Sequence, residues 1–201
     1  FKIMDEMKNE IREFFPYKVI EVARCEADDI IATLCILKSP HEKVTIISND
    51  KDFVQLQRYG NVAQWSILHK KFMLTDNPLL TLKEHIIRGD PRDGIPNMLS
   101  PDDSFVMGIK QKSIMEKKLK LWLTQSPECF CVGESNLRWF KRNEMLIDLS
   151  KIPPSYAKAI IDNWEGEIDI KEALKALNLT GTEKTKAGQY YLKTEKELLD
   201  I

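Results

Sequence analysis

The 201-residue sequence has no long apolar run, no excess charge of either sign and few cysteines, and each absence narrows the possible functions. No segment approaches the roughly 18 apolar residues of a membrane span, and no signal-peptide pattern is present, so we expect a soluble intracellular protein. The 30 Lys plus Arg balance 31 Asp plus Glu, so net charge indicates no partner. The 4 cysteines are too few for a disulfide framework, and Cys129 and Cys131 lack a second pair or a nearby His, so we expect reduced thiols.

Histidine is also scarce, and its positions indicate no catalytic pairing. His41, His69 and His85 are scattered and stand beside no obvious Ser or Asp partner. We therefore predict packing or surface roles for all of them rather than a histidine-based nucleophile.

The chain begins at Phe1 rather than Met, and apolar residues then recur at three- and four-residue steps, including Met4, Ile11 and Phe14. This spacing predicts an amphipathic helix over about 2–14 with no strand before it. We therefore expect the chain to be the later part of a longer protein.

The next segments predict a parallel α/β core. The β-branched run at 17–23 indicates a strand, the apolar spacing at 28–37 indicates a helix, and V-T-I-I-S at 44–48 indicates a strand buried on both faces. Strand, helix and strand form a βαβ unit, whose strands run parallel with their carboxyl ends along one edge.

The later segments change in character. Short strands are predicted at 61–67 and 71–74 near a sheet edge, and a helix at 81–88 stops at Gly89. We expect an α/β core over 1–94, a mostly helical subdomain over 95–180 and a polar tail over 181–201. The helices predicted in the second half lie at 111–123, 136–147, 154–164 and 169–177.

The sequence contains three tight clusters of carboxylate residues. Each cluster alone has an ordinary structural explanation, because acidic residues favour the first turn of a helix and Asp favours Asx-type and Asp-Pro or Asp-Gly turns. The members are Glu26, Asp28 and Asp29 at the start of a helix, Asp50 and Asp52 in an extended segment after a strand, and Asp90 and Asp93 in G-D-P-R-D-G.

The conjunction of the clusters changes the interpretation. The first two lie at the carboxyl edge of the predicted sheet, where open α/β sheets bind ligands. Gathered in one cleft, so many carboxylates need divalent cations to stay ionised, and Mg²⁺ or Mn²⁺ suits an all-oxygen site. Two such ions about 4 Å apart support phosphodiester hydrolysis.

These motifs resemble the 5′-nuclease, or flap endonuclease, superfamily, and within it the RNases H of T-even-like bacteriophages. E-A-D-D-I-I-A-T-L at 26–34 resembles the family's E-A-D-D stretch. I-S-N-D-K-D-F-V-Q-L at 47–56 resembles its S-x-D-x-D-x-x-Q-L stretch, and G-D-P-R-D-G-I-P-N at 89–97 resembles its G-D-x-x-D-N-I-P-G. Order and spacing agree as well, and the resemblance covers roughly 1–165.

The resemblance implies a Mg²⁺-dependent nuclease of PIN/5′-nuclease-like fold that removes RNA primers and 5′ flaps in DNA replication, in the cytoplasm of an infected bacterial host cell. Cleavage by such a nuclease leaves a 3′-hydroxyl and a 5′-phosphate. The first metal is then served by Glu26, Asp28 and Asp29. The second is served by Asp50, Asp52 and Asp93, with Asp90 nearby.

The third motif implies contact with duplex DNA or an RNA–DNA hybrid. In the family it opens a helix–turn–helix that grips the duplex through backbone amides, often around a monovalent cation. Gly89 and Gly94 belong to this motif here, but Gly94 replaces the usual Asn and Asn97 the second Gly. The phosphate-binding candidates downstream are Lys110, Lys112, Lys117 and Lys118, for which a solvated charged face is the alternative.

The resemblance also indicates that a part of the family's sequence is not in this chain. The family's N-terminal portion carries further metal-ligand aspartates and a Lys/Arg-rich arch, so we expect weak Mg²⁺ binding and little cleavage from residues 1–201 alone. A single-stranded-DNA-binding protein and a sliding clamp are partners that only the family implies.

Two other functions stay open. One is a different carboxylate-metal enzyme, such as a PIN-like RNase or a haloacid-dehalogenase-type hydrolase, although the D-x-D, Thr/Ser and Lys pattern of the latter is not seen. The other is a non-catalytic DNA-binding module whose acidic clusters are helix caps and turns.

Overall fold

The structure is a computed structural model and describes residues 2–166. The helix predicted at 169–177 and the polar tail at 181–201 lie outside the described residues. In chain order the elements are α1 (Lys2–Phe14), α2 (Ala27–Lys38), β1 (Val44–Ile47), a 3₁₀ helix (Lys51–Tyr59), β2 (Val62–Ser66), β3 (Lys71–Phe72), α3 (Pro78–Arg88), α4 (Glu116–Leu123), α5 (Pro127–Phe130), α6 (Glu134–Ile147) and α7 (Pro154–Gly166).

The described sheet has three strands in the order β1–β2–β3. The β1 and β2 strands run parallel, with Val44 opposite Val62 and Ile47 opposite Trp65, whereas β2 and β3 run antiparallel. The sheet is therefore mixed. Because β1 and β2 are parallel, the chain must cross over between them, and the 3₁₀ helix forms this connection.

The strand predicted at 17–23 is wrong, because no described strand pairs with this segment and its residues are irregular. A strand needs a neighbour to satisfy its backbone groups. The predicted burial of β1 on both faces is also wrong. Ile46 is buried but Ile47 is 51% exposed, so β1 alternates as a half-buried strand does.

The helices downstream agree with the predictions except at three places. The helix predicted at 81–88 begins earlier, at Pro78, because the side chain of Asn77 caps it by accepting from Leu80 N at 3.0 Å. The lysine-rich helix begins at Glu116 rather than at 111, because Asn97 Nδ2 donates to the carbonyl of Lys112 at 2.8 Å and holds that segment in a loop. The short α5 was not predicted, since its four residues show no helical period.

The described residues divide into two compact units, Val22–Ile160 and a second made of residues 2–21 with 161–166. In the second unit, Glu21 pairs with Arg12 at 2.6 Å and also with Lys8, and Lys18 Nζ donates to the carbonyl of Trp164 at 2.7 Å. All four cysteines are free thiols, as predicted. No helix within residues 2–166 is both long and apolar enough to cross a membrane.

The unit 22–160 contains two apolar cores. One lies between α2, the sheet and the 3₁₀ helix, and the other lies between α3, α4, α5 and α6. A buried Gln55 links the two sides, because its Nε2 donates to the carbonyl of Ile147 at 3.0 Å and its Oε1 accepts from Leu149 N at 2.9 Å. An ion pair between Arg58 and Asp148 at 2.8 Å adds to this link.

Candidate metal centre and nucleic-acid interface

The first carboxylate cluster lies at the amino end of α2. Glu26 is the N-cap, and its backbone N–H donates to Asp29 Oδ2 at 3.0 Å, so these residues do form a helix cap. Asp28 differs. Burial, and then the charges of Asp50 and Asp52 ahead of those of Glu26 and Asp29, raise the pKa of its carboxyl to about 6. Asp28 therefore faces the second cluster.

The second cluster begins the 3₁₀ helix. Asp50 is its N-cap, and Asp50 Oδ1 accepts from the backbone N–H of Asp52 at 3.0 Å. The predicted extended segment with alternating side chains is therefore wrong, since the Asx-type turn bends the chain at Asp50. The packing of Phe53 and Leu56, which are 3% and 0% exposed, stabilises the helix that follows.

Two residues that the sequence did not single out hold the second cluster in place. Gln64 on β2 is fully buried, and its Nε2 donates to the carbonyls of Ser48 at 2.9 Å and Asp50 at 2.6 Å. Asn49 Oδ1 accepts from Ser66 Oγ at 2.8 Å. The signal for this role was present in the sequence, because Gln64 and Ser66 are polar residues on the buried face of a strand.

The third cluster follows α3 at a crowded turn. Gly89 ends the helix with φ +69°, and a Cβ there would lie 2.5 Å from the carbonyl oxygen of Ile95. Asp90 is 3% exposed, and its Oδ1 accepts from the backbone N–H of Arg92 at 2.9 Å. Burial by itself would raise the pKa of Asp90, but the bonds from Arg92, His85 and Lys51 lower it below its usual range.

The prediction that His85 has no Asp partner is wrong. His85 Nε2 lies 3.0 Å from Asp90 Oδ2, and its Nδ1 lies 3.5 Å from Asp52 Oδ1. Its partners are separated from it in sequence by 5 and 33 residues, so the interaction depends on the tertiary fold. Lys51 also reaches Asp90 Oδ2, at 3.2 Å.

Asp52 lies where the clusters meet. Burial raises the pKa of Asp52, His85 opposes that change, and Asp50 and Asp90 reinforce it. Its Oδ1 is buried and accepts no hydrogen bond from the residues that the structure describes. One ligand atom each from Asp52, His85 and Asp90 lies within 4.8 Å of the others, which is close enough to share an ion. The orphaned oxygen and the oxygen-rich donor set fit a divalent cation.

Asp52 and Asp90 thus lie together around His85, and the charges of Asp50 and Asp52 act on Asp28; we call these four aspartates the acidic centre. Glu26 and Asp29 lie beside Asp28 at its edge. Asp93 is exposed in the turn after Asp90, and among the described residues its side chain makes no hydrogen bond or ion pair. The ligand role of each residue stays a prediction.

The lysine candidates are all exposed, but only some are helical. Lys110 and Lys112 lie in the loop before α4, and Lys117 and Lys118 lie on α4. The last two line an open groove of about 650 Å³ together with Met115, Lys120, Leu121 and Thr124. Three lysines therefore share one groove, which is the kind of basic surface that binds phosphates.

Comparison with known proteins agrees with this architecture. Residues 4–83 match the family model described as 5'-3' exonuclease, N-terminal resolvase-like domain. Ribonuclease H of Enterobacteria phage T4 is 32% identical over 171 residues, which cover 81% of this chain and 54% of that protein. The resemblance to the 5′-nuclease superfamily is confirmed. This chain spans about half the length of that ribonuclease H.

The fold also matches a solved structure. The T5 D15 protein, co-crystallized with metal ions, superposes with a TM-score of 0.50 at 18% identity over 88% of this chain and 68% of that chain. The predicted class, an α/β nuclease-like core followed by a helical part, is therefore confirmed. The comparison at this identity is evidence for the fold only.

Proposed function

We propose that the protein is a Mg²⁺-dependent 5′→3′ nuclease that hydrolyses phosphodiesters of RNA primers and 5′ flaps during DNA replication. The observation that carries this proposal is the acidic centre, in which a buried oxygen of Asp52 accepts no hydrogen bond from the described residues while the Asp52 carboxyl interacts with those of Asp28 and Asp90. The similarity to Ribonuclease H of phage T4 supports the same class of reaction.

In this proposal the carboxylates hold two divalent ions. Glu26, Asp28 and Asp29 serve one, and Asp50, Asp52, Asp90 and Asp93 serve the other, with Mn²⁺ able to replace Mg²⁺. Bound ions would supply the charge that activates water and stabilises the developing charge on the phosphate.

The residues around the acidic centre hold the ligands in position. His85 and Lys51 fix Asp90, while Gln64 fixes the carbonyl of Asp50. Such neighbours orient ligands and limit the reorganisation needed when charge develops.

The nucleic acid would lie beside this centre. We propose that the turn carrying Gly89 and Gly94 approaches the duplex backbone and that Lys110, Lys112, Lys117 and Lys118 bind phosphates. The nuclease core would then be 1–94 and the DNA-binding part 95–180. Action in the host cytoplasm, with a single-stranded-DNA-binding protein and a sliding clamp as partners, completes the proposal.

A non-catalytic DNA-binding module is the second candidate, and a specific observation favours it. Asp29, Asp50 and Asp90 each accept a backbone N–H as a cap or turn residue would, which gives them a structural role without any metal. The two candidates differ in what the loss of one carboxylate changes.

The discriminating experiment uses the whole protein with a 5′-labelled flap and a labelled RNA–DNA hybrid. Asp52→Asn keeps the side-chain shape and removes one charge, and Asp76→Asn alters an exposed carboxylate as the matched control. We expect Asp52→Asn to lose more than about a hundredfold in cleavage, since metal ions contribute several kcal/mol, while DNA affinity is retained. Unchanged cleavage would remove the acidic centre from the chemistry and favour the binding module.

A further inference from the structure

One basic side chain occupies the centre of the loop that follows the G-D-P-R-D-G turn. Arg142 on α6 directs its guanidinium at three backbone carbonyls of this loop. Its Nη2 lies 2.7 Å from the oxygen of Pro96 and 3.5 Å from that of Asn97, and its Nη1 lies 3.4 Å from that of Ser100. Carbonyl oxygens that converge in this way create a local negative potential.

Neighbouring side chains also hold the same guanidinium in place, and one of them is a carboxylate. Its Nη1 donates to Asp102 Oδ1 at 2.7 Å, and its Nε donates to Asn143 Oδ1 at 2.8 Å. Asn143 is fully buried, and its Nδ2 donates to the carbonyls of Pro96 at 2.9 Å and Ile86 at 2.8 Å. The Arg142 side chain is only 17% exposed, so it belongs to the packed structure.

Hydrogen-bond donors of the loop are also satisfied within the protein. The backbone N–H of Asn97 donates to Gln111 Oε1 at 2.7 Å, and that of Leu99 donates to Asn97 Oδ1 at 3.0 Å. Ser100 Oγ donates to the same Asn97 oxygen at 3.0 Å. Asn97, where the resembling motif has Gly, therefore satisfies groups that an open loop would leave to a ligand.

These contacts do not fit the monovalent cation that the resemblance implies for this motif. An ion at the carbonyls of Pro96 and Ser100 would compete with bonds already made and would be repelled by a fixed positive charge. We propose that Arg142 is a positioning residue that replaces this cation, so that the loop keeps its shape without K⁺ or Na⁺. A planar guanidinium with several donors suits a set of separated oxygens.

The proposal predicts that the 201-residue chain is indifferent to the identity of the monovalent cation. Unfolding by urea is followed in KCl, NaCl and N-methyl-D-glucamine chloride at equal ionic strength. We expect the same midpoint in all three salts, since only an ion bound specifically by the folded state raises it. A saturable rise of the midpoint in K⁺ over N-methyl-D-glucamine would overturn the proposal.

Substitutions on α6 test whether Arg142 is the residue that makes the loop independent of a monovalent cation. Arg142→Met should lower the midpoint and make it depend on K⁺, because the carbonyls lose their cation. Arg138→Met is the matched control, since Arg138 pairs with the same Asp102 at 2.7 Å but is 64% exposed. If Arg142→Met fails to fold, Arg142→Gln, which keeps an amide donor but removes the charge, takes its place. Ion dependence equal to that of Arg138→Met would contradict the proposed role.

The consequence for DNA binding rests on the proposed function and is measured separately. Anisotropy of a labelled duplex should give equal affinity for the unaltered chain in KCl and in N-methyl-D-glucamine chloride at equal ionic strength. A specific gain in K⁺ would contradict the ion replacement. Absence of duplex binding in every salt would contradict the DNA-binding function, while the unfolding result would still decide the role of Arg142.

Discussion

The acidic centre and the lysine groove differ in how the fold holds them. Asp52 and Asp90 are largely buried, and His85 contacts both of them. Lys51 also contacts Asp90, and Gln64 donates to the backbone carbonyl of Asp50, so contacts between separate elements fix this region. Lys117 and Lys118 are exposed on one helix. Metal ligands need a geometry fixed before the ion arrives, whereas binding to phosphates depends mainly on charge density.

In the acidic centre, burial and tertiary contacts hold like charges close together, whereas the lysines of the groove are exposed and screened by water and salt. Burial, and then the charges of carboxylates from two segments, raise the pKa of Asp28 to about 6. A fold that holds like charges together in this way has a site where a bound cation would relieve their repulsion.

The largest expected effect comes from the glycine that begins the third cluster. Gly89→Ala places a Cβ 2.5 Å from the carbonyl oxygen of Ile95, so urea unfolding should show a loss of about 3 kcal/mol from crowding and backbone strain. Gly94→Ala is the matched control. Its φ of +72° is similar, but the added Cβ meets nothing within 4 Å, so we expect about 1 kcal/mol. Equal losses would mean that the turn is not crowded.

A smaller effect is expected from the histidine at the acidic centre. His85→Ala removes the group that contacts both Asp52 and Asp90, so Mn²⁺ affinity of the chain should fall by about tenfold in isothermal titration. His69→Ala, at an exposed position, should leave it unchanged. If His85→Ala binds Mn²⁺ as the unaltered chain does, His85 is not a positioning residue.

The pH dependence of stability tests whether folding raises the pKa of Asp28, through burial first and then through the charges of Asp50 and Asp52. Because the pKa of Asp28 is raised on folding, its contribution is fully present below pH 4 and is lost as the pH rises through about 6. Asp28→Asn should therefore be more stable than the unaltered chain at pH 7 in chelator, by about 1 kcal/mol after solvent screening, and similar at pH 4. Asp76→Asn should show no such trend. A difference in stability that does not change with pH would contradict a raised pKa of Asp28.

The smallest expected effect is in the lysine groove. Replacing Lys117 and Lys118 by Gln should weaken duplex binding a few-fold and reduce the salt dependence of log K by about 1 for each lysine. The pair Lys43→Gln and Lys71→Gln, also exposed, is the control. A salt dependence that stays the same would mean a solvated charged face.

Sequence reasoning found what is encoded locally. The periodic apolar positions of α2, α3 and α6 predicted those helices, and the compact acidic motifs predicted the clusters. The 3₁₀ helix was missed because Asp50 and Asp52 were interpreted as part of an extended segment, and the packing of Phe53 and Leu56 that stabilises the helix depends on other elements.

Other features depend on partners distant in sequence. His85 meets Asp52 across 33 residues, and Arg142 meets Pro96 across 46. No local pattern marks such pairs. The strand predicted at 17–23 failed for the same kind of reason, since a strand depends on a neighbour that the segment itself does not specify.

The most direct test of the central claim is a crystal structure of the chain grown with MnCl₂, with the metal located by its anomalous signal. The account predicts an anomalous peak about 2.2 Å from carboxylate oxygens of at least two clusters, with Asp52 among the ligands. A peak bound by one cluster alone, or no peak at saturating Mn²⁺, would contradict the claim that separate acidic motifs form one metal centre.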